Sequence, residues 1–377
     1  MYYWRLSGFY FFYFASLGAL IPYWGLYLKS LGFSVVEIGE LVAIIMATKI
    51  IAPNIWGWIA DHSGNRMRIV RIACLLATLS FAGVFLVKGY WMLALVMSVF
   101  SFFWNAALPQ FEATTLNHLG DDTHRYSSIR LWGSIGFVVA VAVLGGVFDK
   151  TGTGLLPAVL IVLFAGIWFA SLLVPEHVSQ HPVVDNAPLR QVLKRPVVVA
   201  FLLASFLIQA SHGPYYTFYS LYLSGHGYSE TVIGQLWAWG VVAEIAVFLK
   251  MHAWLPRFGA RRLLLVATFL TALRWVVIAL FVEQLWMLAF AQTLHAASFG
   301  VFHAVAIYLT HRLFTGRHQG RGQALYSSMS FGAGGALGSL MAGYLWEGAG
   351  AQWMYIGAAV VAILAGWIVW RNIEPGL

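Results

Sequence analysis

Eight ionisable side chains interrupt long apolar runs in this chain: Lys49, Glu112, Arg130, His212, Glu244, Arg274, His295 and His303. Each is costly in apolar surroundings and should face a cavity or a partner. Carboxylates in dry cavities and imidazoles can both exchange protons near neutrality. Arginine offers a planar, two-pronged donor that matches a carboxylate. Nucleophilic chemistry would need a serine or cysteine and a base at one depth, and the chain offers only scattered serines and histidines.

The spacing suggests constellations. Glu112 and Arg130 lie eighteen residues apart, one on each side of a short turn, so adjacent helices can bring them to similar depth. They would either hold a polar or anionic solute or form a plain salt bridge. For a proton that changes with solute occupancy, the candidates are Glu244 with His295 or His303, tuned by Arg274, although a lone helix histidine is also a common packing residue. Aromatic and polar side chains that sit deep in the runs form a third set. They are Tyr23 and Trp24 beside Pro22, Trp104 with Asn105, Gln209 and His212, Tyr215 and Tyr216 after Pro214, and Trp237. Such a cleft suits an aromatic acid, while lipid-facing packing accounts for any single ring.

The elements that carry these residues follow from composition. Of 377 residues, 60% are hydrophobic and 10% charged, too little polar surface for a soluble fold. Apolar runs of helical length predict twelve spans, near 6–28, 38–60, 67–87, 91–116, 128–148, 156–174, 198–223, 232–253, 263–282, 286–309, 323–346 and 352–370. They lack the short alternating strands of a barrel. The first run is too long for a signal peptide and has no small-residue cleavage pattern, so it reads as a retained helix. The single cysteine, Cys74, rules out a disulfide framework.

The net charge of +8 is spread by side rather than clustered for nucleic acid. Connections after the even-numbered spans hold Arg66, Arg68, Arg71, Arg125, Arg190, Lys194, Arg195, Arg257, Arg261, Arg262, Arg312, Arg317 and Arg321, and the opposite connections hold Lys29, Lys88 and Lys150. The positive-inside rule makes the first set, and both termini, cytoplasmic in a bacterial-type inner membrane.

A shift of 195 residues places Gly32-Phe33-Ser34 on Gly227-Tyr228-Ser229, Ile38-Gly39-Glu40-Leu41 on Ile233-Gly234-Gln235-Leu236, Gly64 on Gly259 and Arg66 on Arg261. The chain therefore reads as two parallel six-helix halves, 1–174 and 197–377, joined by a cytoplasmic linker at 175–196. Lys49 and Glu244 are mates under the same shift, which puts both at one depth, where they either pair or find separate partners.

The loop Gly57-Trp-Ile-Ala-Asp61-His-Ser-Gly64-Asn65-Arg66-Met67-Arg68 resembles the signature of the major facilitator superfamily, with Gly57, Asp61, Gly64, Arg66 and Arg68 as its gating residues. Parallel repeats of this kind imply a solute site at mid-membrane between the halves. Further fragments resemble the phenylpropionate permease group, itself similar to lactose permease and to proton-coupled nucleoside permeases. They are Arg130-Leu-Trp-Gly-Ser134, His212 with Tyr215-Tyr216, Gly240-Val-Val-Ala-Glu244, Arg274-Trp275, Thr293-Leu-His295 and Phe302-His303. The resemblance implies that Glu112 and Arg130 bind solute hydroxyls, and that Arg274 and His295 belong to the proton site. Where lactose permease places its proton-carrying glutamate three residues after that histidine, this chain has Ser298.

The expectation is thus an all-α polytopic membrane protein of twelve helices in two pseudo-symmetric bundles, the major facilitator fold. It would act as a functional monomer in the lipid bilayer, with protons and a small-molecule solute as partners. Phosphate-binding loops and zinc-spaced ligands are missing from the sequence, so no cofactor, metal, nucleic acid or enzyme activity is expected. A proton symporter of an aromatic or other small carboxylate comes first. A nucleoside or sugar symporter and a drug or metabolite exporter are the alternatives.

Overall fold

The computed structural model of the chain describes residues 2–120, 122, 125–176, 190–315 and 319–374. The Asp61 side chain, Arg317 and linker residues 177–189 lie outside that description. Among the described residues there is no strand, and the long helical runs number twelve, within a few residues of the expected spans. They are α1 (Tyr3–Ser30), α2 (Val35–Ser63), α3 (Arg66–Phe85), α4 (Tyr90–Leu119), α5 (Tyr126–Thr151), α6 (Thr153–Leu172), α7 (Pro196–Gly225), α8 (Glu230–Phe258), α9 (Ala260–Leu280), α10 (Leu285–Leu313), α11 (Gln319–Ser327, Ser328–Gly334 and Gly335–Ala349) and α12 (Ala351–Asn372). Ten of them are long and apolar enough to cross a membrane, counted by length and composition. One compact unit comprises Met1–Val183 with Ser229–Gln235, and the other Val184–Tyr228 with Leu236–Leu377.

The sequence repeat has a backbone cause. After α1, the N–H groups of Gly32 and Phe33 bond the carbonyls of Lys29 and Leu28, and after α7 those of Gly227 and Tyr228 bond Ser224 and Leu223. This is the Schellman end of a helix, which needs a positive φ at the residue after the cap. Gly32 (+91°) and Gly227 (+83°) supply it. The serine two residues later starts the next helix: Ser34 Oγ accepts from Glu37 N, with the Glu37 carboxylate returning to Ser34 N, and Ser229 Oγ accepts from Val232 N. Gly64 (+69°) and Gly259 (+76°), which follow α2 and α8, also take a positive φ, each with its N–H on the carbonyl four residues back.

Inside the first unit α1 packs closely on α5 and α6, and α4 packs on α2 and α3. In the second, α7 packs on α11 and α12, and α9 on α12. Glycines set the closest crossings. A Cβ at Gly136 of α5 would stand 2.2 Å from the Phe11 carbonyl oxygen of α1, and one at Gly334 of α11 would stand 2.5 Å from the Phe206 carbonyl of α7. The prolines of the repeat-mate helices α1 and α7, three positions apart in the register, act differently. Pro22 sits inside an unbroken α1, whereas α7 breaks at His212, just before Pro214.

The Gly57 to Arg68 turn is tied within its own unit. Arg66 donates to Gln110 Oε1 on α4 at 2.8 Å, and Gly57 leaves room for the same glutamine. Glu176, past α6, accepts from the N–H groups of Met67 and Arg68 at 3.1 and 3.3 Å, which places a carboxylate at the positive end of α3. The Arg68 side chain is exposed.

Candidate functional site

Each unit holds one polar constellation in its apolar interior. In the second unit it is built from the fully buried Arg274 of α9. Its guanidinium lies 3.0 Å from His295 Nδ1, donates to Ser298 Oγ at 3.1 Å and donates to Gln292 Oε1 at 3.1 Å. Tyr215 O–H donates to the same Gln292 oxygen at 3.0 Å. Rings flank the guanidinium carbon, with Tyr215 at 4.0 Å and Trp275 at 4.7 Å. On the far side of the imidazole, His295 Nε2 lies 3.4 Å from Glu244 Oε2. The order is therefore arginine, imidazole, carboxylate, and among the described residues the guanidinium has no ion pair with a carboxylate.

Local sequence explains how α7, α8, α9 and α10 meet here. Gly240 and Glu244 share one face of α8 by their spacing of four. A Cβ at Gly240 would press on Gln292 Oε1 at 3.0 Å, and one at Gly300 on Glu244 Cγ at 3.3 Å. Glycine at both places eases the close approach of α8 to α10 at which Glu244 reaches His295. Directly after His295, α10 widens into a π-helical stretch, Ala296–Val301, and α11 does so over Ser328–Gly334. Such wide turns recur at functional sites. They face each other through Phe299 and Phe331, with ring centroids 6.3 Å apart. Phe299 also stacks between His295 and His303, and His303 Nδ1 lies 3.1 Å from the Tyr326 hydroxyl.

In the first unit the Arg130 guanidinium lies 3.7 Å from the centre of the Phe14 ring and 5.8 Å from that of Tyr10. Glu112 accepts from the Tyr126 hydroxyl at 3.4 Å and is close enough to Arg130 for their charges to interact, without an ion pair. Tyr10 in turn donates to Thr115. The flanking set divides by what its polar ends do. Tyr23 O–H donates to the Val141 carbonyl at 2.7 Å, Asn105 donates to the Ile45 carbonyl and Thr48 hydroxyl, and Trp237 Nε1 donates to Ser220. Those groups tie helices of their own unit together. Trp24 and Trp104 are buried with their indole N–H groups unpartnered, Gln209 is buried against α11, and Tyr216 stacks on His212 and Trp237. Lys49, half-buried on α2, makes no ion pair among the described residues.

Several contributors carry weaker sequence signals. Gln292 stands three residues before His295 on one helix face, a spacing that would have found it. Phe14 and Tyr10 are hidden in an aromatic run that looks like packing, and Gln110 and Glu176 lie far from the turn they hold.

Two all-helical units built of membrane-length apolar helices, with an arginine and two histidines buried in the second, fit a multi-pass membrane transporter of the major facilitator type. The chain belongs to the MFS_1 like family, which matches residues 3–357. It is 29% identical over 368 residues to the "Probable 3-phenylpropionic acid transporter" of Escherichia coli, covering 94% of this chain and 92% of the relative. It is 27% identical over 346 residues to the maltose permease of Geobacillus stearothermophilus, covering 90% and 86%. Among solved structures, the nucleoside transporter NupG superposes with a TM-score of 0.86 at 16% identity over 99% of both chains. A bacterial homologue of the human lysosomal transporter Spinster does so at 0.75 and 13% identity, covering 98% and 96%. These relatives are transporters rather than enzymes.

Proposed function

We propose that the chain is a secondary active transporter that moves a small organic solute by alternating access together with protons. The solute is an aromatic or other small carboxylate of the phenylpropionate type. The observation that carries the reading is the line from Arg274 through His295 to Glu244. Arginine only donates, so His295 Nδ1 accepts from it and the imidazole proton sits on Nε2, toward Glu244. A proton arriving at Nδ1 would meet the arginine's own N–H. His295 therefore takes up a second proton only when Arg274 turns away. An incoming carboxylate, matched to the guanidinium fork, is the group that draws it. Solute and proton loading are then linked at one nitrogen, and Glu244 shares the proton across the 3.4 Å gap.

The relative named for 3-phenylpropionic acid supports an aromatic acid, and the aromatic walls around Arg274 suit its ring. A sugar is the second reading, favoured by the maltose permease relative and by the arginine, which also serves hydroxyls. In this reading the arginine-rich connections and both termini face the cytoplasm. The halves 1–174 and 197–377 move as bodies about the linker, the Gly57 to Arg68 turn gates them, and Lys49 is the countercharge matched to Glu244 by the repeat.

Proteoliposome uptake tests the proposal. Labelled 3-phenylpropionate should accumulate when an inward proton gradient is imposed and leave when a protonophore is added. Glu244→Gln keeps the shape and cannot release a proton, so accumulation should fall at least tenfold while solute exchange continues. Uptake indifferent to the gradient would remove proton coupling, and no movement of any solute in a labelled panel would remove the carrier reading itself.

A further inference from the structure

A second buried imidazole stands apart from the proton line. His212, at the break in α7, is 1% exposed. Its Nδ1 lies 2.8 Å from the Ile208 carbonyl oxygen of its own helix. A carbonyl only accepts, so Nδ1 carries the ring proton and the neutral ring offers Nε2 as an acceptor, turned away from that helix. Among the described residues no group donates to this nitrogen. Buried acceptors in folded proteins are nearly always paired, and one left over in a transporter's interior points to a ligand.

Its surroundings say what kind. The His212 ring meets Trp275 edge-on with centroids 5.0 Å apart and stacks on Tyr216 at 5.8 Å. Trp275 carries the Arg274 guanidinium on its other contact, 4.7 Å from the ring. Two more buried atoms of this neighbourhood have no hydrogen-bond partner among the described residues, Nε of Arg274 and Nε2 of Gln292, and both can only donate. One acceptor and two donors are therefore offered, with aromatic faces between them.

We propose that His212 Nε2 is a specificity-determining acceptor for a hydroxyl on the solute, and that the substrate class is a hydroxylated aromatic carboxylate. Its carboxylate meets the spare donors of Arg274 and Gln292, and its hydroxyl donates to His212. This rests on the carboxylate-transport reading above and adds the second functional group.

Calorimetric titration of the full chain in lipid nanodiscs tests it, using 3-phenylpropionate and its 2-, 3- and 4-hydroxyphenyl analogues. At least one hydroxylated isomer should bind about tenfold more tightly than the parent acid. In His212→Phe the ratio between that isomer and the parent should fall to near one, and His212→Gln, which keeps an acceptor, should restore part of it. If the phenylalanine variant does not fold, the wild-type ratio and the glutamine variant decide the matter. Equal binding of parent and all isomers by the wild type, or a preference that survives in His212→Phe, would overturn the assignment. No binding of any of these acids by folded protein would instead overturn the carboxylate reading, and this inference with it.

Discussion

Arg274→Lys is expected to lower solute uptake about a hundredfold while leaving a folded, monodisperse protein. The guanidinium makes three contacts at once, to His295, Ser298 and Gln292, and lies over the rings of Tyr215 and Trp275. A lysine keeps the charge but is a point donor on a flexible stem, without the planar fork or the stacking face. Losing two charge-assisted hydrogen bonds of about 1.5 kcal/mol each amounts to roughly 3 kcal/mol, or about two powers of ten in rate. Initial uptake rates in proteoliposomes give the first number, and the tryptophan-fluorescence melting curve shows whether folding is intact. Arg274→Ala should do worse on both counts, since it strips three buried partners of their donor in one step. A lysine variant within about threefold of wild type would mean that neither solute nor proton uses the fork.

The contrast with lactose permease sharpens the role of this arginine. Ser298 stands where the resemblance would place a carboxylate, and it accepts directly from Arg274. A serine leaves the guanidinium positive toward whatever enters, and moves the acid of the site to Glu244 on another helix. On the carboxylate reading proposed above, the serine at this position leaves the guanidinium charge unneutralised until an anion draws it from its neutral partners.

Much of the architecture was legible because membrane helices and their turns obey local rules. Twelve apolar runs gave the twelve helices, and the 195-residue register is now seen as repeated helix ends. Gly32 and Gly227 share a left-handed turn, and Ser34 and Ser229 each cap the next helix. Glu244, Arg274 and His295 stood out because charge in an apolar run is rare, and the structure brings all three together. What stayed hidden was contact chemistry without a compositional signature. The π-helical turns after His295 and in α11 depend on tertiary packing, and no residue type announces them. Polar ends such as that of Asn105 looked available for solute, yet hydrogen bonds to α2 occupy it, because any buried amide takes the nearest backbone acceptor. Arg130 lies near enough to Glu112 for their charges to interact, and its seat over the face of Phe14 had no signal in the spacing.

Gly338→Val should be among the most damaging single changes in the scaffold, because the added side chain meets backbone on the facing helix. A Cβ at Gly338 of α11 would stand 2.2 Å from the Ala210 carbonyl oxygen of α7, and one at Gly213 would stand 2.1 Å from the Gly338 carbonyl carbon. These are backbone atoms, so no rotamer change relieves the clash and the helices themselves must separate. Separation at this crossing also shifts His212 and Tyr215, which lie within two residues of Gly213. The repeat mate of Gly213 is Gly18, whose added Cβ would stand 2.7 Å from the Phe137 carbonyl of α5, so each bundle is pinned at an equivalent point. The expected loss at Gly338→Val is about 3 kcal/mol or more, seen as a collapsed gel-filtration peak or a strongly lowered melting temperature. Gly8→Ala and Gly348→Ala, where an added Cβ meets nothing within 4 Å, should change melting by little. If valine at 338 is tolerated as well as alanine at 8, the α7 and α11 crossing is looser than its geometry requires. Helix sliding would then belong to this crossing. If it is not tolerated, the crossing is a rigid strut, and any movement that admits solute must come from the bundle shifting as a body.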